Sequence, residues 1–137
     1  MAVWTVEFWR QDEKSPSYDW LISQPPKVQA RFLHVFELLE ERGIQLGMPH
    51  IKPIKGKIYE IRVEQDTNAY RLLYFVFTGR RFVMLHGFEK KTAKTPSGEI
   101  EIAQKRMLDF VDPQEEDSSP PSKGTKKQSK KGKGKRK

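Results

Sequence analysis

A chain of 137 residues with 36% hydrophobic and 32% charged side chains has room for one modest core, and no apolar stretch approaches the roughly 20 residues that span a bilayer. The opening MAVWTVEFWRQDEK lacks the basic start, apolar block and small-residue cleavage site of a secretory leader, so a cytoplasmic protein with no membrane partner is expected. Cysteine is absent, which excludes disulfides, thiol nucleophiles and thiolate zinc sites. The net charge of +8 is unevenly placed: residues 118–137 hold nine Lys or Arg and no acid, whereas residues 1–117 hold 17 basic and 18 acidic side chains. Within that nearly neutral body a basic centre, ten cations against four acids over 52–94, faces an acidic end, two against seven over 95–117.

Trp4, Val6 and Phe8 alternate with Thr5 and Glu7, the period of a strand with one buried face. Ser15–Pro16 suits a cap and first turn of a short helix, and Pro25–Pro26 marks the start of a second. Val28, Phe32, Val35 and Leu39 then follow helical spacing, with Leu33 and Phe36 widening the apolar face, until Gly43 ends the helix. The Gly- and Pro-rich GIQLGMPHIKPIKG reads as a connector. Three strands are predicted next, KIYEIRVE, AYRLLYFVF and RFVMLHGF, separated by the turn chemistry of EQDTN and TGR, as an antiparallel meander with the first strand at an edge. Thr95 and Pro96 supply a cap and a first-turn proline for a last helix carrying Ile100, Ala103, Met107 and Val111 on one face. The expected order is β-α-α-β-β-β-α over residues 1–112. Residues 113–137 combine PQEEDSSPPS with lysine, Gly, Ser and Thr, too little apolar surface to offset chain entropy, and are expected to form a disordered lysine-rich tail.

Few kinds of chemistry are open to such a chain. His34, His50 and His86 lie far apart in sequence with no HxxxH pattern, so no metal ligand set and no cofactor is expected. A GxSxG elbow and a phosphate-cradling GxxxxGK[ST] loop are both missing. What remains is basic and aromatic: Lys52, Lys55, Lys57, Arg62, Arg71, His86, Lys90, Lys91 and Lys94, interleaved with Tyr59, Tyr70, Tyr74 and Phe88. Cations bind phosphates and exposed rings stack on unpaired bases, so together they describe a surface for single-stranded RNA. Arg71 interrupts an apolar strand and must reach solvent, a carboxylate such as Glu60 or Glu64, or a phosphate. His86 is either a hydrogen-bonded core residue, sharing the face of Phe82 and Met84 by alternation, or a proton-transfer group at a strand end.

Three stretches in one order, KPIKGKIYEIR, YRLLYF and LHGFEKKTAKTPSGEIEIAQKR, resemble the core of the RelE/ParE superfamily of type II toxins, in its HigB-like, phage-derived branch. The resemblance spans about residues 3–111 and implies a RelE-like α+β fold, a small antiparallel sheet packed against two N-terminal helices and one C-terminal helix. It implies inhibition of translation by metal-independent cleavage of mRNA on the ribosome, and a helix-turn-helix, HigA-like antitoxin as partner. The catalytic positions it points to are Arg71 for transition-state phosphate charge and His86, Lys90 or Lys91 for proton transfer. Lys55, Lys57, Arg62 and Lys94 would hold the RNA backbone, and Glu60 stands where some relatives have a basic residue, a departure that bears on the identity of the general base. The lysine-rich tail has no counterpart in that pattern and would bind nucleic acid nonspecifically. Two rival readings share the fold or the charge: a ParE-like inhibitor of DNA gyrase without RNA chemistry, and an RNA-binding module that does not cleave.

Overall fold

The computed structural model describes residues 4–78 and 80–112. The lysine-rich tail expected over 113–137 lies outside the described residues. Strand β1 (Thr5–Phe8) is followed by helices α1 (Pro16–Ile22) and α2 (Pro26–Arg42), a single 3-10 turn (Gly43–Gln45), four strands and a last helix. The strands are β2 (Ile51–Lys55), β3 (Ile58–Gln65), β4 (Asn68–Phe77) and β5 (Arg81–Lys90), and α3 covers Ser97–Leu108. They form one five-stranded sheet in the order β1-β5-β4-β3-β2. The class is α+β, with α1 and α2 on one face and α3 on the other.

Two expectations about the sheet need correction. The connector GIQLGMPHIKPIKG contains β2, which pairs antiparallel with β3 through Ile51–Ile61 and Lys52–Glu60. Its proline hid it, but Pro53 is tolerated because β2 is an edge strand and the ladder shifts register between Pro53 and Lys55. The sheet is also mixed, because β1 joins the other edge parallel to β5. That edge position is as expected for β1, as is the meander of β3, β4 and β5.

Each sheet face buries a separate core. On one side Phe32, Phe36 and Leu39 of α2 meet Leu72, Phe82 and Met84. On the other, Leu73, Phe75, Val83 and Leu85 meet Ala103 of α3, with Met107 and Phe110 packed against them. A fully buried side chain such as Phe32 or Leu85 contributes about 1.5–3 kcal/mol, so both layers matter to stability. Leu33, expected to widen the α2 face, points outward and is 55% exposed. Val111 likewise does not continue the α3 stripe: the helix stops at Leu108, the chain turns, and Phe110 takes the inward place against Phe75 and Phe77. Past that turn Arg81, buried at the start of β5, is bonded by Glu7 of β1 at 2.6 and 2.9 Å and by Asp112 at 2.7 Å. One guanidinium thus ties the parallel edge to the segment after α3.

The predicted caps are used differently. Ser15 donates its hydroxyl to the Trp9 carbonyl rather than to the start of α1, and Thr95 donates to Glu60 rather than to α3. Pro96 takes the cap position of α3, so proline geometry alone starts that helix. Two glycines are required sterically. Gly43 has φ +64° and Trp4 against it, and Gly87 has the Trp20 ring of α1 so close that a Cβ would fall 2.2 Å from Cε3.

Trp20 is itself wedged edge-on against Phe32, so it has little freedom to give way. We predict that Gly87→Ala loses about 1–3 kcal/mol of unfolding free energy through overpacking. Urea denaturation followed by tryptophan fluorescence checks this; an unchanged midpoint would show that α1 can lift from β5 without cost.

Candidate functional site

Strand alternation decides which side chains reach the α3 face. From β3 these are Ile58, Glu60 and Arg62, opposite Phe75, Leu73 and Arg71 of β4. In β5 the alternation breaks: Met84 opposes Tyr74 and His86 opposes Leu73, so Leu85 is an extra residue at a β-bulge. The bulge places His86 on the face of Leu73 instead of that of Phe82 and Met84, and Phe88 and Lys90 follow it there. The alternation argument for His86 fails for this reason. α3 covers the apolar half of that face, around Phe75, Val83 and Leu85, and the polar half of β3, β4 and β5 lies beyond it.

Glu60 is the centre of the polar half. It is 1% exposed, and its Oε2 accepts a 2.6 Å hydrogen bond from Thr95. Its Oε1 faces Arg71 Nε at 3.6 Å and Arg62 Nε at 4.0 Å. None of these three atoms has a hydrogen-bond partner among the described residues, although all are buried. They attract one another at ion-pair distance without closing a hydrogen bond, a geometry common where a site tightens only on its substrate. Lys90 completes the group: burial lowers its ammonium pKa below the ordinary 10.5, Glu60 opposes that shift, and Arg71, Arg62 and Lys52 add to it. Four cations, Lys52, Arg62, Arg71 and Lys90, therefore share one field with Glu60.

The remaining candidates are placed less centrally. Arg71 is 3% exposed and held by carboxylates on two sides, its Nη2 lying 3.1 Å from Glu64 and its Nη1 donating to the Tyr70 carbonyl. The cross-strand pair open to it in the sequence is thus formed. His86 Nε2 is paired with Glu99 of α3 at 2.5 Å and its ring stacks on Phe88. Lys91 is past the end of β5, 74% exposed and paired with Glu89 at 3.1 Å, outside the cluster. Lys55 and Lys57 flank the β2–β3 turn and Lys94 sits in the loop before α3, all exposed to solvent. The sequence offers Glu60 only as a partner for Arg71, and its place as the buried centre of the cluster with Lys52 was missed because a glutamate alternating with Tyr59 and Ile61 reads as solvent-facing. The signal that could have found them was the cation-rich surroundings of that one acid. The aromatic stacking surface also fails to form on the sheet: Tyr70, Tyr74 and Phe88 are buried, and Tyr59 packs on Tyr74 at 5.8 Å in the α2-side core.

A model of the family described as "Phage derived protein Gp49-like (DUF891)" matches residues 19–108. The chain belongs to this Gp49-like family. The matched stretch contains every side chain of the cluster, from Lys52 to Thr95. Over 62 residues, 45% of this Gp49-like chain, it is 43% identical to "Probable endoribonuclease HigB1" from two strains of Mycobacterium tuberculosis, CDC 1551 / Oshkosh and ATCC 25618 / H37Rv. The match covers 49% of those proteins, so the chain spans about half the length of the curated relatives it matches. Among solved structures, one chain of the toxin–antitoxin complex RelBE2 from Mycobacterium tuberculosis is similar with a TM-score of 0.47 and 19% identity, covering 64% of this chain and 99% of that one. No helix among the described residues is long and apolar enough to cross a membrane.

Two titrations follow from the site. Burial pushes the His86 pKa below its ordinary 6.5, more strongly than the Glu99 bond and charge raise it, with Arg106 adding to the lowering. The unfolded chain then binds the proton more readily, so stability rises with pH from the depressed folded value up to 6.5 and falls on acidification through that window. We expect His86→Gln to flatten this dependence in unfolding curves collected from pH 7 down to pH 5; a slope unchanged by the substitution would assign it to other groups. Side-chain NMR should likewise show Lys90 losing its proton below the ordinary 10.5, and Glu60→Gln should move that midpoint lower still. A rise would show that Glu60 does not act on Lys90.

Proposed function

We propose that this Gp49-like protein is the toxin of a type II toxin–antitoxin pair and cleaves mRNA without a metal, on the ribosome, thereby inhibiting translation. The observation that carries this reading is the convergence of Lys52, Arg62, Arg71 and Lys90 around one buried carboxylate, Glu60, on the part of the sheet that α3 leaves clear. The 43% identity to proteins named probable endoribonucleases supports it. A helix-turn-helix antitoxin is part of the same reading, its role being to cover this cationic face.

RNA carries its own nucleophile. In the proposed reaction the 2′-oxygen attacks the adjacent phosphorus, the bond from phosphorus to the 5′-oxygen breaks, and a 2′,3′-cyclic phosphate and a free 5′-hydroxyl result. The protein must help one proton leave the 2′-hydroxyl and another reach the 5′-oxygen, and must stabilise the extra negative charge on the phosphate between them. Arg62 and Arg71 supply fixed positive charge for that last task, with Glu60 and Glu64 setting the position of Arg71. Lys90, whose pKa is lowered by burial and by its cationic neighbours, is the proton-transfer group of this scheme. Lys52, Lys55, Lys57 and Lys94 contact the flanking phosphates. His86 is occupied by Glu99 and serves to seat α3 beside the site. The basic stretch 118–137 adds salt-sensitive, nonspecific attachment to RNA.

Primer extension on an mRNA incubated with the protein, with and without ribosomes, tests the reading. Cuts that require both protein and ribosome are expected, and Lys90→Ala should slow them by about 10²–10⁴-fold, while Lys91→Ala stays within about twofold because that side chain is exposed and outside the cluster. Absence of cuts together with lost gyrase supercoiling would replace the reading with gyrase inhibition. RNA binding without cleavage would leave a binding module.

A further inference from the structure

The sheet offers no exposed aromatic surface on which bases could stack, yet the reading above needs unpaired bases to be held somewhere. Beside the basic cluster, where α2 approaches the end of β3, there is a cavity of about 700 Å³. Its floor is apolar, formed by Ala30, Val35, Pro49 and Val63. His34 of α2 and His50 of the segment before β2, 16 positions apart in sequence, adjoin edge-to-face in its lining with their ring centroids 6.5 Å apart and their planes at 78°. Arg31 and Arg62 bring positive charge to its wall. Arg31 is fixed by a 2.6 Å hydrogen bond to Gln65 at the end of β3. The single carboxylate there, Glu64, is paired with Arg71, which leaves the cavity net positive.

Arg62 belongs to both places. Its Nε is 4.0 Å from Glu60 in the cluster, and the side chain also lines the cavity. Arg62 at the edge of the sheet is therefore the side chain common to the cluster on the α3 face and the cavity on the α2 face. The edge of β3 adds polar backbone: the β2–β3 ladder ends at Ile51–Ile61 and at the bond from Arg62 N–H to the His50 carbonyl. Beyond it the Val63–Glu64 edge borders the cavity without a strand paired on that side among the described residues. Flat rings, a guanidinium plane, an apolar floor and main-chain polar groups together match what an unpaired base requires, namely stacking faces and partners for its edge. The volume lies in the range of ordinary small-ligand sites.

We infer that this cavity is a nucleobase subsite, holding one unpaired base of a single-stranded RNA against His34, His50 and Arg31 while Arg62 grips the adjoining phosphate. The inference rests on the ribonuclease reading only in taking that polymer to be the substrate. It assigns sequence preference in cleavage to the α2–β3 edge and not to the sheet face where the chemistry is proposed.

The chain has three histidines, which makes imidazole NMR a direct readout on the full protein. The probe is a fully 2′-O-methylated RNA hexamer, which cannot be cleaved, compared with an abasic ribose-phosphate hexamer of equal charge. The His34 and His50 signals should move to saturation with the base-bearing probe and stay in place with the abasic one. The double substitution His34→Ala/His50→Ala should weaken the base-bearing probe about tenfold and leave the abasic probe within about twofold. Signals that do not move, or that move equally with both probes, would overturn the subsite. So would shifts caused by a soluble strand-forming peptide and not by the oligonucleotide, which would assign the β3 edge to a protein partner. Because His34 is exposed, His34→Ala alone provides a variant whose fold is safe, and its smaller loss of affinity should have the same base dependence. The two readings fail separately. Histidine shifts without mRNA cleavage uphold the subsite against the ribonuclease, whereas cleavage by both wild type and double variant with identical cut sites, and no shifts, upholds the ribonuclease against the subsite.

Discussion

The polar half of this protein is organised by one carboxylate that water does not reach. Glu60 is buried among cations, and an isolated charge in that position would cost several kcal/mol. It is tolerated because Thr95 donates to one oxygen and two guanidinium groups face the other. The dependence is mutual. Arg71 is as deeply placed as Glu60, and Arg62 and Lys90 crowd the same field, so without the acid the cluster would repel itself. A phosphate entering such a site would meet positive charge already assembled and already partly desolvated, the arrangement in which electrostatic stabilisation of a transition state is strongest.

Thr95 connects this centre to the architecture. It lies in the loop that leads from β5 into α3, and its hydroxyl is spent on Glu60 instead of on the helix start. The apolar contacts of Ala103, Met107 and Phe110 hold α3 on the sheet, and the Arg81 clamp to Glu7 and Asp112 secures the chain beyond it. Packing at one end of the face therefore fixes where the loop lies at the other. Glu99, held by His86, is a second fastening along the same helix.

Much of the fold was legible because its elements are strongly periodic and punctuated by proline and glycine. The α2 stripe, the two-residue β3–β4 turn at Asp66–Thr67 and the meander all follow from local chemistry. β2 was not legible, since Pro53 and its exposed lysines suggest a loop until the neighbouring strand supplies the ladder. The site was half legible. Basic residues at 62, 71 and 90 could be named, but not that Lys91, one residue further on, points away to Glu89. The Thr95–Glu60 bond and the His34–His50 pair depend on tertiary proximity across different elements, which no spacing within one segment encodes. The tyrosines misled for a related reason: alternation shows that they share a face, not that α2 covers it.

The Leu85 bulge has a consequence for how this surface can change over time. Because β5 carries one more residue than its partner at that point, the bulge and not simple alternation sets the face that His86, Phe88 and Lys90 occupy. Loss of Leu85 would remove the bulge and leave those pairings as they are, whereas one residue added between Met84 and His86 and not taken up by the bulge would carry Lys90 to the side where α1 and α2 pack, and would bring Glu89 into the cationic field in its place. Substitutions can tune the site gradually, whereas such an insertion would reverse the sign of its charge at once. Insertions should therefore gather in the turns of this family and be purged from the strand that ends at Lys90.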